Sequence, residues 1–328
     1  MSRLLSLLLL LLVALAGCAP QTAGESADRA GARAREGGAE IAGAATGDTL
    51  PELELRFLDV GQGDAVLIRN GERVALIDAG PANRIVGQLR ALGVEHLDLL
   101  LASHNHADHI GGMDAVLDSF PVRFYLDNGH PANTQIQQRV LERVESKGVT
   151  YLEASARTIA LGDAQLRILP PPEAAGGDEQ NNRSVGVLLE RGAFRALMTG
   201  DSETQLINAL LASGEIPQVN VLKAAHHGSR NGVTPGWLSR TRPEVVAISV
   251  AARNNYGHPH EAAMRYYCTG GRRVLRTDQA GDIVVTVDAA GEYQVRTERG
   301  GEGGSAAPPA EGAACAGYSA VAGDPASP

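Results

Sequence analysis

The chain has 328 residues, a formal net charge of −9, 4% aromatic side chains and 3 cysteines. That length allows one large domain or two small ones, and so few cysteines exclude a disulfide-built miniprotein. The acidic balance argues against a broad basic face for nucleic acid, but it leaves a nuclease open, because divalent ions held in a cleft reverse the local sign.

Residues 1–18 read as a targeting segment, with Arg3 followed by an apolar stretch over 4–15. Leu15-Ala16-Gly17-Cys18 has the form of a lipobox. The expectation is a lipoprotein signal peptide, with a mature chain that begins at a lipidated Cys18, is exported, and is held on a membrane by its lipid. The apolar stretch is too short for a confident membrane span. Residues 19–50 are Ala, Gly, Glu and Arg with almost no large apolar side chains, so they read as a flexible tether. A folded domain is expected over 51–298, followed by a disordered Gly/Ala/Pro-rich tail over 299–328. Cys268 is expected to be an unpaired small core residue, since Cys315 falls in the tail; pairing in an oxidising compartment is the alternative. Arg supplies nearly all the basic residues, and Lys147 and Lys223 carry no functional reading.

Within the domain, residues 53–59 alternate as a strand does, 60–64 turn, and 65–68 and 73–77 return as strands. A helix follows near 83–92. Residues 97–102 are apolar at nearly every position, which predicts a strand covered on both faces. That strand runs into Ser103-His104-Asn105-His106-Ala107-Asp108-His109, and a helix leaves from Met113. His104 and His106 stand two apart, so both rings leave an extended segment on the same side. Asp108 and His109 follow at the start of the helix. Three imidazoles and a carboxylate thus converge on a small volume, and these are the usual ligands of zinc and related divalent ions.

A strand over 122–126 ends at Asp127-Asn128-Gly129-His130-Pro131, and an amphipathic helix covers 133–147. Strands near 150–153 and 165–169 precede a Pro/Gly loop over 170–177, which leads to Asn181-Asn182-Arg183-Ser184. Strands over 185–189 and 195–198 end at Thr199-Gly200-Asp201, with a helix over 203–212. A strand over 219–224 ends at His226-His227-Gly228-Ser229, and another over 244–250 precedes the loop 253–260. A helix and strands at 274–276, 282–287 and 293–296 close the domain. Two halves of mixed strands and helices, with polar motifs at strand ends, predict an α/β fold of stacked helix, sheet, sheet and helix layers.

The His104–His109 cluster resembles the signature of the metallo-β-lactamase superfamily. Phe57-Leu58-Asp59-Val60-Gly61-Gln62-Gly63-Asp64, the histidine cluster, Asn181 to Ser184, Thr199-Gly200-Asp201, His226 to Ser229 and Tyr256-Gly257-His258-Pro259 occur in that order. Together they look like the hydrolase domain of ComEC-type DNA-uptake proteins and their standalone secreted relatives. The resemblance implies a four-layer αββα sandwich and two divalent ions, with Zn²⁺ favoured and Mn²⁺ allowed. It assigns His104 and His106 to the first ion, Asp108 and His109 to the second, and Asp201 to a bridging position. His226 is favoured as the last ligand, with His227 the alternative. His130 is the one candidate for a third histidine of the first site, and a substrate-loop role suits it equally. Asp78 is expected to be structural. Asp64 could orient a ligand or bind substrate, and Asn182, Ser184 and Ser229 could line the pocket. Asp108 could assist proton transfer, and His258 could donate a proton to a leaving group or hold a phosphate.

The implied activity is metal-dependent hydrolysis of a phosphodiester or nucleic-acid substrate outside the cytoplasm. Two alternatives stand beside it: a thioester, lactone or β-lactam hydrolase, and a non-catalytic envelope binding module that retains the metal site. No protein partner is inferable.

Overall fold

The computed structural model describes residues 52–175, 179–299, 313–316 and 318. The expected signal segment, the tether and Cys18 lie outside the described residues.

The chain runs β1 (Leu53–Phe57), β2 (Val66–Asn70), β3 (Arg73–Ile77), α1 (Arg84–Ala91), β4 (Leu97–Leu101), α2 (Ala107–Ile110), α3 (Met113–Ser119), β5 (Val122–Asp127), α4 (Gln135–Ser146) and β6 (Thr150–Glu153). It continues through β7 (Arg157–Leu161), β8 (Ala164–Leu169), β9 (Gly186–Arg191), β10 (Phe194–Met198), α5 (Thr204–Ser213), β11 (Val221–Lys223), α6 (Pro235–Thr241) and β12 (Val245–Ile248). It ends with α7 (Glu261–Tyr267), β13 (Arg273–Arg276), α8 (Thr277–Ala280), β14 (Ile283–Val287) and β15 (Tyr293–Thr297). The strands form an eight-stranded sheet ordered β15-β14-β1-β2-β3-β4-β5-β6 and a seven-stranded sheet ordered β13-β12-β11-β10-β9-β8-β7. Each sheet is antiparallel at one end and parallel at the other, where β3 to β6 and β10 to β13 pair in parallel.

The burial pattern explains the layers. On β1 the alternation puts Leu53, Leu55 and Phe57 into the space between the sheets, while Glu54 and Arg56 pair on the other face. β4 is buried at all five positions. Leu99 and Leu101 join the core between the sheets, and Leu97 and Leu100 pack under α1, α3 and α4 through Ile85, Leu89, Val116 and Val140. β12 divides in the same way: Val245 and Ala247 face the other sheet, while Val246 and Ile248 face Leu206, Trp237 and Met264 on α5, α6 and α7. One core between the sheets and one under each helix layer make the four-layer αββα sandwich. Each fully buried Leu or Val contributes about 1.5–3 kcal/mol relative to exposure.

Three elements were not predicted: β7, α6 and the single-turn α8. β7 is a short edge strand closed onto β8 by a hairpin at Gly162. α6 begins at Thr234, whose side chain accepts from the Trp237 amide, with Pro235 in the first turn; this is an ordinary start signal for a helix. A further difference concerns the cysteines. Cys268, just after α7, forms a disulfide with Cys315, 47 residues on. Ala314, Cys315 and Tyr318 pack into the core beneath the second helix layer. Cys268 is therefore not an unpaired core residue, and this short piece of the expected tail is fixed to the domain.

Candidate metal centre

Strand ends position the site. Asp78 follows β3, residues 103–109 follow β4, Asp201 follows β10, and His226 and His227 follow β11. These are carboxyl ends of parallel strands, where open α/β sheets place their ligand sites. Three of these residues hold left-handed backbone conformations: Asp78 (φ 59°), His226 (φ 51°) and His227 (φ 53°). For non-glycine residues each such conformation costs about 1–3 kcal/mol, and it persists only where the surroundings enforce it. The loop over α2 needs glycine at position 63: its φ is +129°, and a Cβ there would lie 2.1 Å from the Asp108 carbonyl oxygen.

His109 is fully buried. Its Nδ1 donates to Asp78 Oδ2 at 2.9 Å. Asp78 also accepts from the Ser103 amide (2.7 Å) and the Ser103 hydroxyl (2.8 Å). A carboxylate that fixes Nδ1–H turns the other nitrogen outward, the usual support for a ligating histidine. His109 Nε2 then stands 3.2 Å from Asp201 Oδ2. His227 is held in a similar way. Its Nδ1 donates to the Ser249 carbonyl at 3.0 Å and lies 3.3 Å from Asp64 Oδ1. Its Nε2 lies 3.2 Å from Asp108 Oδ2 and 3.3 Å from Asp201 Oδ2. Asp108, His109, Asp201 and His227 each offer one ligand atom, and these atoms lie within 4.8 Å of one another. Beside them, His104 Nε2 is 3.0 Å from His106 Nδ1 and 4.0 Å from Asp201 Oδ2.

His109 Nε2 and His227 Nε2 are buried with carboxylate oxygens at ion-pair distance but in no well-formed hydrogen bond, and Asp201 Oδ1 is buried with no partner. Leaving such atoms unsatisfied costs about 1–3 kcal/mol each. Two imidazole nitrogens and a carboxylate oxygen, all converging, are what a divalent cation satisfies, so the residues present fit a metal.

The electrostatics agree. Burial alone would push His109 and His227 down, but the Asp201 carboxylate, with Asp78 beside His109 and Asp64 beside His227, holds both well above the ordinary imidazole value. Burial would raise Asp201, but the two imidazoles hold it well below the carboxylate range. His104 is driven well down by burial and by His109. Without a cation, the carboxylates hold protons on imidazoles that would otherwise ligate.

Of the residues expected at the site, His104, His106, Asp108, His109, Asp201, His226, His227, Asp64 and His258 are gathered there. Between the two adjacent histidines, His227 is the one whose Nε2 joins Asp108, His109 and Asp201. His226 Nε2 is 3.8 Å from Asp201, its Nδ1 is 3.3 Å from Glu203, and its ring lines the cavity beside the site. Asn182 does not line that cavity. It spans to α5, where its Oδ1 accepts from the Leu206 amide and its Nδ2 donates to Gln205; Asn181 lines the cavity in its place. Ser184 supports the site indirectly, its hydroxyl accepting from the Asp201 amide at 3.2 Å. The Ser229 hydroxyl accepts from the Asn231 amide in the next turn. His130 holds its loop through its carbonyl, which accepts from Asn105 and Gln137, and its ring is not part of the Asp108, His109, Asp201 and His227 group.

Lys223 carries no functional reading in the sequence. It is buried within β11 and ion-pairs with Asp64, and its Nζ also donates to the Ala224 carbonyl at 3.1 Å. Burial would lower it, but Asp64 and Asp201 hold its pKa up. A charged residue at the end of an otherwise apolar strand was the available signal.

A family model described as the metallo-beta-lactamase superfamily matches residues 58–245. The chain belongs to the metallo-β-lactamase superfamily. Within it, the chain is 28% identical over 256 residues to ComE operon protein 3 of Bacillus subtilis, covering 71% of this chain and 33% of that protein. It is 30% identical over 250 residues to competence protein ComA of Neisseria gonorrhoeae, covering 72% of this chain and 33% of that one. The chain thus matches about a third of the length of these competence relatives. Among solved structures it is similar to the metallo-beta-lactamase fold protein YhfI of Bacillus subtilis, with a TM-score of 0.48 at 12% identity, covering 72% of this chain and 99% of that one. It is a metallo-β-lactamase-superfamily hydrolase with competence-protein relatives and a His/Asp cluster that could hold metal ions.

Proposed function

We propose that this protein is a two-metal phosphodiesterase acting on nucleic acid outside the cytoplasm. The observation that carries the hydrolytic reading is the convergence of buried ligand atoms on His109, His227 and Asp201, with Asp108, within 4.8 Å of one another. The phosphodiester reading draws on similarity to competence proteins.

His104 and His106 with Asp201 would hold one ion, and Asp108, His109 and His227 with Asp201 the other. Zn²⁺ suits the imidazoles, and the carboxylates allow Mn²⁺. Bound ions of this kind lower the pKa of water and offset charge on the reacting phosphoryl group. The protein supplies the rest. Asp78 and Ser249 fix the tautomers of His109 and His227. Asp108, held below the usual carboxylate range by His227 and His109 although burial would raise it, is ionised, the state in which a carboxylate can ligate a cation. His258 lines the cavity, and burial, reinforced by His226 and His227, lowers its pKa to about 4. It is a neutral imidazole at neutral pH, suited to donate a hydrogen bond to a phosphoryl or leaving-group oxygen.

Export and lipid anchoring through Cys18 belong to the same proposal. The Cys268–Cys315 disulfide supports it, because such bonds persist in oxidising compartments. Cys18→Ser should abolish membrane partition.

The test of activity is incubation of the purified protein with Mn²⁺ or Zn²⁺ and single-stranded DNA, RNA or bis-p-nitrophenyl phosphate, with Asp201→Ala as the control. Phosphodiester cleavage lost in the control supports the reading. Turnover of nitrocefin or thioesters alone would replace it with the second reading, and inactivity on every substrate together with a filled metal site would leave a binding module.

A further inference from the structure

Three large apolar or aromatic side chains are exposed among the described residues: Leu141, Tyr151 and Tyr256, the last at 63%. Tyr151 is committed through its hydroxyl to Asp127 at 2.7 Å. A single exposed aromatic is ordinary on a protein surface. Tyr256 differs in where it stands and in what lies behind it.

Tyr256 lines the same cavity of about 380 Å³ as Asp108, Asp201 and His227. One face of its ring stacks on His258, with centroids 5.6 Å apart and planes at 24°. His258 lies 6.1 Å from His227 at 34°, and His227 lies 5.3 Å from His109 at 37°. A ladder of tilted rings therefore runs from the candidate metal centre to solvent, and Tyr256 is its outer rung. The rung is held firmly. Asn254 Oδ1 accepts from the amides of Tyr256 (3.1 Å) and His258 (2.9 Å), and its Nδ2 donates to the carbonyls of Ala251 (3.1 Å) and His258 (2.7 Å). His260 ties the loop to the turn after His227, its amide donating to the Gly228 carbonyl at 2.9 Å.

We propose that Tyr256 is a stacking platform for an unpaired base, which selects single-stranded nucleic acid as the substrate of this site. The inference rests on the phosphodiesterase reading and adds the class of strand and the residue that recognises it. A rigid, half-exposed aromatic face loses little entropy when a planar ring covers it, and stacking accepts any base because every base has a π-face. Outside the metal site the net charge of −9 leaves little long-range attraction for a phosphate backbone, so a short-range contact at the rim adds to recognition. A duplex hides its base faces. A base seated on Tyr256 brings an adjoining phosphodiester into the cavity that the ligand side chains line.

The test is binding rather than turnover, so that it is independent of the hydrolytic reading. The metal-loaded full-length protein is titrated against a fluorescein-labelled phosphorothioate oligothymidine and against the same backbone with abasic residues, with anisotropy as the readout. Wild type should prefer the base-bearing strand by about five- to a hundred-fold, the range for one stacked base. Tyr256→Ala should reduce that preference to under twofold, and Tyr256→Trp should keep it. Equal binding of the two strands by wild type, no binding of either, or an undiminished preference in Tyr256→Ala would overturn the inference. A strand that binds with the expected preference yet is never cleaved under any metal would sink the phosphodiesterase reading alone.

Discussion

Replacing Lys223 by Met is expected to be among the most destabilising single changes at the site. Lys223 and Asp64 are each 1% exposed, and Lys223 is the cation of the pair. The substitution keeps the volume of the side chain and removes its charge, so Asp64 is left buried with two imidazole nitrogens as neighbours, His227 Nδ1 at 3.3 Å and His109 Nδ1 at 3.7 Å. Removing one member of a buried ion pair costs about 3–5 kcal/mol. In a domain of this size that corresponds to a fall in melting temperature of roughly 6–20 °C, at about 2–4 °C per kcal/mol. Adding Asp64→Asn to Lys223→Met removes the stranded charge, so the double variant should recover at least about 1 kcal/mol relative to the sum of the singles. The assay is urea unfolding of the four proteins of the cycle, disulfide intact, followed by circular dichroism. A loss below about 0.5 kcal/mol for Lys223→Met, or strict additivity in the double variant, would refute the claim that the pair is a coupled, desolvated support for the metal centre.

Proton release should accompany metal uptake. His109 and His227 carry raised pKa values in the metal-free chain, so at pH 7 an entering cation must displace their protons; calorimetry in two buffers of different ionisation enthalpy should show release, and apparent affinity should rise with pH. The same groups stabilise the metal-free fold fully below pH 6.5, and that contribution is lost as pH climbs through their raised values, so the metal-free melting temperature should fall above pH 6.5 while the loaded protein holds. His258 has the opposite sign, its contribution being lost as pH falls from 6.5 to about 4, so an acid-side decline would not contradict this. Asp78→Asn should lower metal affinity about 10- to 100-fold, by analogy with other second-layer carboxylates, as read by competition with a chromogenic chelator. Reducing Cys268–Cys315, which closes a loop 47 residues long, should cost about 4 kcal/mol on loop-entropy grounds; Cys315→Ser should lose the same amount and become insensitive to dithiothreitol.

Much of this was legible along the chain because it is local. Apolar alternation located β1, and an unbroken apolar run located β4, with the histidine cluster following from its position at the strand end. What was missed depends on geometry that one-dimensional patterns do not carry. The choice between His226 and His227 could not follow strand alternation, because both residues sit at positive φ, where the period-two rule stops. Asn181 and Asn182 lie in a single turn of 3₁₀ helix, which sends neighbouring side chains in different directions, one to the cavity and one to α5. The role of Lys223 depends on Asp64, which comes from a loop 159 positions away in the chain, and the Cys268–Cys315 bond likewise needed the fold to bring its ends together. β7, five residues on a sheet edge with mixed exposure, carries little pattern of its own.

Metal content by plasma mass spectrometry is the most direct test of the whole account, made on protein equilibrated with Zn²⁺ or Mn²⁺ and desalted, beside His104→Ala and Asp201→Ala. The account predicts about two ions per chain in wild type, about one in His104→Ala and fewer than one in Asp201→Ala. A wild-type chain that retains no ion, or an Asp201→Ala variant that retains its full complement, would contradict it.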